Sequence, residues 1–200
     1  MISQVDEEPT MNAVLENIAA RHSCRSYTKQ PVSRADLEAI VKAGVQAPSS
    51  RGNAPWYVAV VTDPELIADL SRTALEVLIR REARQKEKFE RLGTSLFYDA
   101  PAIILVATRP SHDFTSSDLD AGLLVENMAL AATSLGLGSC VCGFATQAFR
   151  DLKAGDGERL SRLFEFPWGY EMTVGMIVGH PTAPGQQHPT DLSKVRFFEA

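Results

Sequence analysis

Arg21, His22, Ser23, Cys24 and Arg25 set two permanent cations four residues apart with a hydroxyl between them. A guanidinium is always charged and grips a phosphate through paired N–H donors, and the Ser23 hydroxyl adds another donor. The same cations also suit the end of the helix predicted just before them, where the dipole favours positive charge. Taken alone, the stretch supports both readings. A second donor-rich stretch is Ser49, Ser50, Arg51, Gly52 and Asn53, within a loop running from Ala47 to Trp56. It offers two hydroxyls, a guanidinium, an amide and a glycine that lets a ligand approach the backbone. Lys194 and Arg196 bring two more cations near the end of the chain.

The chemistry that is missing narrows the field. There is no P-loop, no H-E-x-x-H and no G-x-S-x-G elbow. Gly136-x-Gly138 lacks a third glycine and follows a helix, so it is not a dinucleotide fingerprint. The four histidines are scattered and form no metal-ligand pair. Cys24, Cys140 and Cys142 are odd in number and make no C-x-x-C motif, so neither a disulfide framework nor a zinc site is indicated. Cys140 and Cys142 read as small apolar side chains on one face of a strand. Without a protein nucleophile and its base, any difficult chemistry falls to a cofactor.

The elements that must position these residues follow from periodicity. Residues 11–20 place Val14, Leu15, Ile18 and Ala19 on one helical face that runs directly into Arg21. Ser33 with Asp36 forms a capping box, and the helix after it carries Leu37, Ile40, Val41 and Val45 until Pro48 stops it. Residues 57–62 read as a buried strand. Asp63-Pro64 open a long helix whose apolar side holds Leu66, Ile67, Leu70, Ala74, Val77 and Leu78. From Arg80 to Arg91 that helix turns very polar, which reads as a solvated face; a lid or a landing zone for a nucleotide phosphate is the functional alternative. Residues 102–108 form a second strand. Ser117 with Asp120 again fits a capping box, before a central apolar helix over 120–135. Residues 139–142 and 172–178 are two further strands, 147–166 is helical in part, and 182–191 is an irregular surface stretch. The tail at 195–198 has strand character.

The 200 residues form one domain with a core that needs no staples. Hydrophobic residues are 44% and charged residues 22%, as in ordinary globular chains. The net charge of -5 argues against a general nucleic-acid binder. No apolar run approaches a membrane span. Residues 1–10 are polar, acidic and expected to be flexible, and they lack the pattern of a signal peptide, so a cytoplasmic protein is expected.

Five segments in order resemble the nitroreductase family of FMN-dependent oxidoreductases. They are Arg21-x-Ser23-x-Arg25; Ala47-Pro48-Ser49 leading to Pro55-Trp56 and a strand; Ala100-Pro101 before a strand; Asp120-x-Gly122 through Asn127-Met128 to Leu135-Gly136-Leu137-Gly138; and Lys194-x-Arg196. Pro167-x-Gly169-Tyr170-Glu171, followed by a strand to Gly179-His180-Pro181, is similar to the family's C-terminal part. The resemblance implies an α+β fold: a central mixed or mainly antiparallel sheet flanked by helices, in an intertwined homodimer with FMN sites at the subunit interface. It implies that Arg21, His22, Ser23 and Arg25 hold the FMN phosphate, ribityl chain and pyrimidine edge, and that Lys194 and Arg196 return to the phosphate. Pro48, Ser49, Ser50 and Gly52 would contact the flavin of the partner subunit. The backbone at Cys142-Gly143 would face flavin N5, and Arg51 and Asn53 would face substrate. No metal is implied.

The implied reaction is ping-pong hydride transfer from NAD(P)H through flavin N5 to an electron-poor acceptor, a nitroaromatic or a quinone, with no protein acid or base. The sequence departs from the family pattern at Gly52, where Asn is common, at Ala54, where Gln is common, and at Glu126. The connection over 109–117 is short, so the long helical excursion of some relatives is absent. A flavin-consuming or dehalogenating relative, or a non-catalytic flavin-binding dimer, are the other functions these residues allow.

Overall fold

A computed structural model describes residues 11–82, 84–92, 94–111, 116–150, 155–186 and 189–198. Residues 1–10, expected to be flexible, lie outside them, as do His112, His188 and part of the expected 147–166 helical stretch. The described elements run α1 (Ala13–Ala20), α2 (Arg34–Val45), β1 (Trp56–Val61), α3 (Pro64–Arg81), α4 (Arg84–Leu92), β2 (Ala102–Thr108), α5 (Ser117–Ser134), β3 (Gly138–Cys142), α6 (Asp156–Leu163) and β4 (Glu171–Gly179). Short 3₁₀ turns occupy 50–52 and 143–149.

The sheet order is β1-β2-β4-β3, and every neighbouring pair is antiparallel. The expected α+β architecture is thus present, with an antiparallel sheet of four strands. β2 is buried along its whole length because both faces of the sheet are covered. Its Ile103 and Leu105 join one core with α3, α4 and the 143–149 turn, through Leu70, Ala74, Phe89 and Ala145. Its Ala102, Ile104 and Val106 join the opposite core with α2 and α5, through Ile40, Leu124 and Met128. Gly44 lets α2 approach α5 closely, since a Cβ there would meet Met128 Cγ at 2.5 Å.

Local chemistry sets the boundaries. Ser33 caps α2: its Oγ accepts from the Asp36 N–H at 3.0 Å and donates to the Asp36 carboxylate at 2.7 Å. Asp63 caps α3 with Pro64 at its first position. Three expectations change. The long helix opened by Asp63 does not continue through the polar run; extended backbone at Glu82 separates α3 from α4. The break lets α4 turn Phe89 into the core. The cap of α5 is Ser116, whose Oγ accepts from the Leu119 N–H, and not Ser117, which is its first helical residue. Asp120 is therefore released for another partner. The expected strand at 195–198 is not formed by this chain alone, where Phe197 and Phe198 stand exposed.

Candidate functional site

α1 ends at Ala20, and Arg21 leaves it in extended backbone while its N–H still caps Asn17 C=O. The chain from there is strapped across the sheet's end. Ser23 forms a parallel bridge with Ser139, and the Cys24 N–H donates to Ser139 C=O at 2.8 Å. The Thr28 N–H donates to His180 C=O and the Thr182 N–H to Ser26 C=O, so the strap is also tied to the stretch after β4. Two glycines permit this close approach. A Cβ at Gly138 would meet Cys24 Cβ and Sγ at 2.7 Å, and one at Gly179 would meet the Tyr27 ring at 2.8 Å.

The strap brings five of the predicted site residues, His22, Ser23, Arg25, Cys142 and Gly143, into two adjoining hollows. His22, Ser23, Arg25 and Ser26 line one of about 550 Å³, closed on its far side by residues 182–186. A Cβ at Gly185 would fall 1.8 Å from the His22 ring, so only glycine leaves room for it there. The His22 Nδ1 lies 3.1 Å from Ala20 C=O. Arg25 also lines the second hollow, of about 580 Å³, with Cys140, Cys142, Gly143 and Phe144. Arg81, at the end of α3, shares it and donates to Gln147 Oε1 at 3.0 Å. Arg81 and Gln147 were not among the residues predicted from sequence; Arg81 was legible only as one more cation in a solvated polar run. Nothing stands within 4 Å of a Cβ placed on Gly143, so its backbone is open on that side.

Arg21 lines neither hollow; its Nε lies 3.7 Å from Glu126 Oε1, a partly exposed pair that contributes little to stability. Burial pushes the Cys140 thiol up and the Cys142 thiol to about 11, against the weaker pull of Arg25 and Ser23 on Cys140. Burial also raises Tyr27 above the usual phenol range, and its hydroxyl donates to Cys24 C=O at 2.7 Å. Three buried free thiols, Cys24, Cys140 and Cys142, thus line the two hollows.

The second donor stretch lies at the other end of α5. Asp120, buried in the first turn of that helix, accepts from Ser50 N–H at 3.0 Å and Ser50 Oγ at 3.2 Å. The Ala54 N–H donates to Ser49 Oγ at 2.9 Å. Between these ties Arg51, Gly52 and Ala54 take φ of 56°, 70° and 44°. Left-handed backbone costs a residue with a Cβ on the order of 1 kcal/mol, which the Asp120 anchor offsets. Pro48, Ser49, Ser50, Arg51, Gly52 and Asn53 thus form one rigid shelf, apart from the Arg25 hollow of the same chain. Lys194 and Arg196 are also apart from it. Arg196 donates to the Ser193 and Val195 carbonyls of its own turn.

The donor set fits a flat aromatic cofactor with a phosphate: hydroxyls and the His22 ring in one hollow, the open Gly143 backbone with Arg81 in the other, and Arg25 shared between them, in hollows of ordinary ligand size. Among the described residues there is no cluster that could hold a metal ion and no helix long and apolar enough to cross a membrane.

Comparison with known proteins gives the same picture. The model of the nitroreductase family matches residues 18–180. A Bacillus subtilis FMN reductase (NAD(P)H) is 28% identical over 90% of this chain and 70% of its own. A Vibrio harveyi NADPH-flavin oxidoreductase is 29% identical over 86% of this chain and 67% of its own. A crystal structure of a nitroreductase with bound FMN from Desulfitobacterium hafniense superposes with a TM-score of 0.87 at 34% identity, covering 95% of this chain and all of the other. With the strap, the open Gly143 backbone and these matches in hand, the chain belongs to the nitroreductase family.

Proposed function

We propose that the protein is an FMN-dependent NAD(P)H oxidoreductase that works by a ping-pong cycle on an electron-poor acceptor, a nitroaromatic or a quinone. The observation that carries this reading is the convergence of Arg25, Arg81 and the open Cys142-Gly143 backbone on one hollow beside Ser23. Bound FMN would supply the hydride chemistry that links NAD(P)H to the acceptor.

The chain's own residues bind and tune. Ser23, Arg21 and His22 supply donors toward the phosphate and ribityl chain. Arg25, seconded by Arg81, places positive charge at the pyrimidine edge, where it favours electron gain. The Gly143 backbone faces the hydride-accepting edge without a side chain in the way. Lys194 and Arg196 complete the phosphate charge when the tail folds back. Pro48, Ser49, Ser50 and Gly52 form the shelf that a partner subunit presents to this flavin, with Arg51 and Asn53 toward substrate.

A homodimer belongs to the same reading. α1 buries none of its residues and leaves Val14 and Ile18 exposed, as α5 leaves Leu119, so apolar faces await a second copy. Residues 1–200 act as a single FMN-binding domain, in the cytoplasm.

The test is spectroscopic. The purified protein, supplied with FMN, should show the flavin bands, lose them anaerobically on adding NADPH or NADH, and regain them with a quinone or nitroaromatic. A colourless protein after FMN addition, or bands that neither nicotinamide bleaches, would sink the proposal.

A further inference from the structure

Arg51 carries its guanidinium on left-handed backbone, with φ 56° and ψ 18°. The loop that bears it is fixed from below. Asp120 is 2% exposed and spends its Oδ1 on both donors of Ser50. Ser49 Oγ ties the loop's other side through the Ala54 N–H. A loop free to move would relax out of such backbone; this one is held against it. Yet the side chain so presented has no employment in the fold. Among the described residues Arg51 makes no hydrogen bond and no ion pair, whereas Arg34, Arg72, Arg159 and Arg162 are each taken up by a neighbouring carboxylate. A costly backbone that aims an uncommitted cation outward needs a reason beyond folding.

Resting on the reading that this shelf borders the partner subunit's flavin, we propose that Arg51 is the anion-recognition residue of the substrate site. It offers the planar fork of a guanidinium to a carboxylate or phosphate on a substrate stacked at the flavin. Asp120 is its positioning residue, acting through Ser50. Two substrates can bring that anion: the donor, through the 2′-phosphate that distinguishes NADPH from NADH, or the acceptor, through a ring carboxylate.

The experiment uses FMN-loaded enzyme and two substrate pairs that each differ by the anionic group: NADPH with NADH, and 4-nitrobenzoate with 4-nitrobenzyl alcohol. Arg51→Asn removes the charge with a residue that tolerates left-handed backbone; Arg51→Lys keeps the charge and loses the fork. In one pair, the ratio of kcat/KM for the member with the distinguishing anion over the member without it should fall about tenfold in Arg51→Asn, the worth of one charge-assisted hydrogen bond, and fall through KM. Arg51→Lys should keep part of the ratio, and Asp120→Asn should lose part of it with Arg51 still present. Unchanged ratios in both pairs overturn the proposal, as does an equal loss on the members with and without the distinguishing 2′-phosphate or carboxylate. Reduced FMN retention in Arg51→Asn also overturns it, by assigning the residue to the cofactor's phosphate. Calorimetric titration of NADPH, NADH, 4-nitrobenzoate and 4-nitrobenzyl alcohol reads the same discrimination without turnover. An enzyme that binds them but reduces nothing therefore defeats the proposed function and still decides Arg51.

Discussion

Arg21 shows how little a side chain's charge says about its task. Its ion pair with Glu126 is partly exposed at 3.7 Å, so losing it should change stability by no more than about 0.5 kcal/mol. Arg21→Ala should accordingly leave a folded protein while lowering the ratio of flavin to protein absorbance after gel filtration. Unchanged occupancy would return Arg21 to a helix-end charge. Gly138 makes the opposite case, a residue without a side chain on which the site depends. Gly138→Ala drives a Cβ into Cys24, which must move the strap that carries Ser23 and Arg25. The expected cost is about 1–3 kcal/mol in denaturant unfolding, with flavin occupancy falling alongside. The buried thiols give a pH signature. Cys140 and Cys142 titrate higher in the fold than in the unfolded chain, as Tyr27 does. The unfolded chain thus loses its protons first as pH rises, and the stability these groups contribute is full below about pH 8.5. It should decline from there through about 11, where Cys142 titrates in the fold. Melting temperatures followed from pH 7 to 11 check this, and slow native alkylation at pH 8 should accompany them.

Among the elements, α5 serves both ends of the site. Its first turn holds the Ser50 shelf through Asp120, and its third faces Arg21 through Glu126. Asp120→Ala leaves the Ser50 N–H and hydroxyl without their partner, at a cost of about 1–3 kcal/mol. Ser33→Ala removes an exposed cap of α2 and should cost about 1 kcal/mol. The two substitutions separate a site anchor from a mere cap: limited proteolysis should cut near 50–54 in the Asp120 variant and not in the Ser33 variant. This is also where the sequence misleads. Ser117 and Asp120 have the spacing of a capping box, but a serine one residue earlier takes the cap and frees the carboxylate. Spacing cannot distinguish adjacent serines; the path of the incoming chain does. The break at Glu82 escaped notice for a similar reason. Charged residues hold a helical pattern on either side, and the core's demand for Phe89, not local propensity, sets the break.

For the molecule as a whole, cofactor and fold are coupled. A ligand that binds only the folded chain stabilises it by mass action, by about 2.7 kcal/mol at a hundredfold excess over Kd. Added FMN should therefore raise the melting temperature of flavin-stripped protein, and raise it less in Arg25→Ala. The strands were legible from apolar runs at 57–62, 102–108 and 172–178, but their antiparallel order was not, and the expected burial of 57–62 is not met: at the sheet's edge β1 buries only Val61, while β2 is buried along its whole length. The candidate donors Arg21, Ser23 and Arg25 were legible because they lie within one short stretch, and Ser23 and Arg25 line the hollows while Arg21 pairs with Glu126. The meeting of Arg25 with Arg81 and Gln147 was not legible. Those residues sit on a strap, a helix end and a 3₁₀ turn far apart in sequence, and only the sheet order β1-β2-β4-β3 and its helical cover bring them together. By itself the sequence determined most of the elements and the donors, since residue type and short spacing dictate those, and its resemblance to the nitroreductase family implied the cofactor. Tertiary structure alone decided which donors share a hollow, that Asp120 holds a shelf instead of capping a helix, and that Arg51 is aimed outward. Such outcomes depend on long-range packing, which no local spacing encodes.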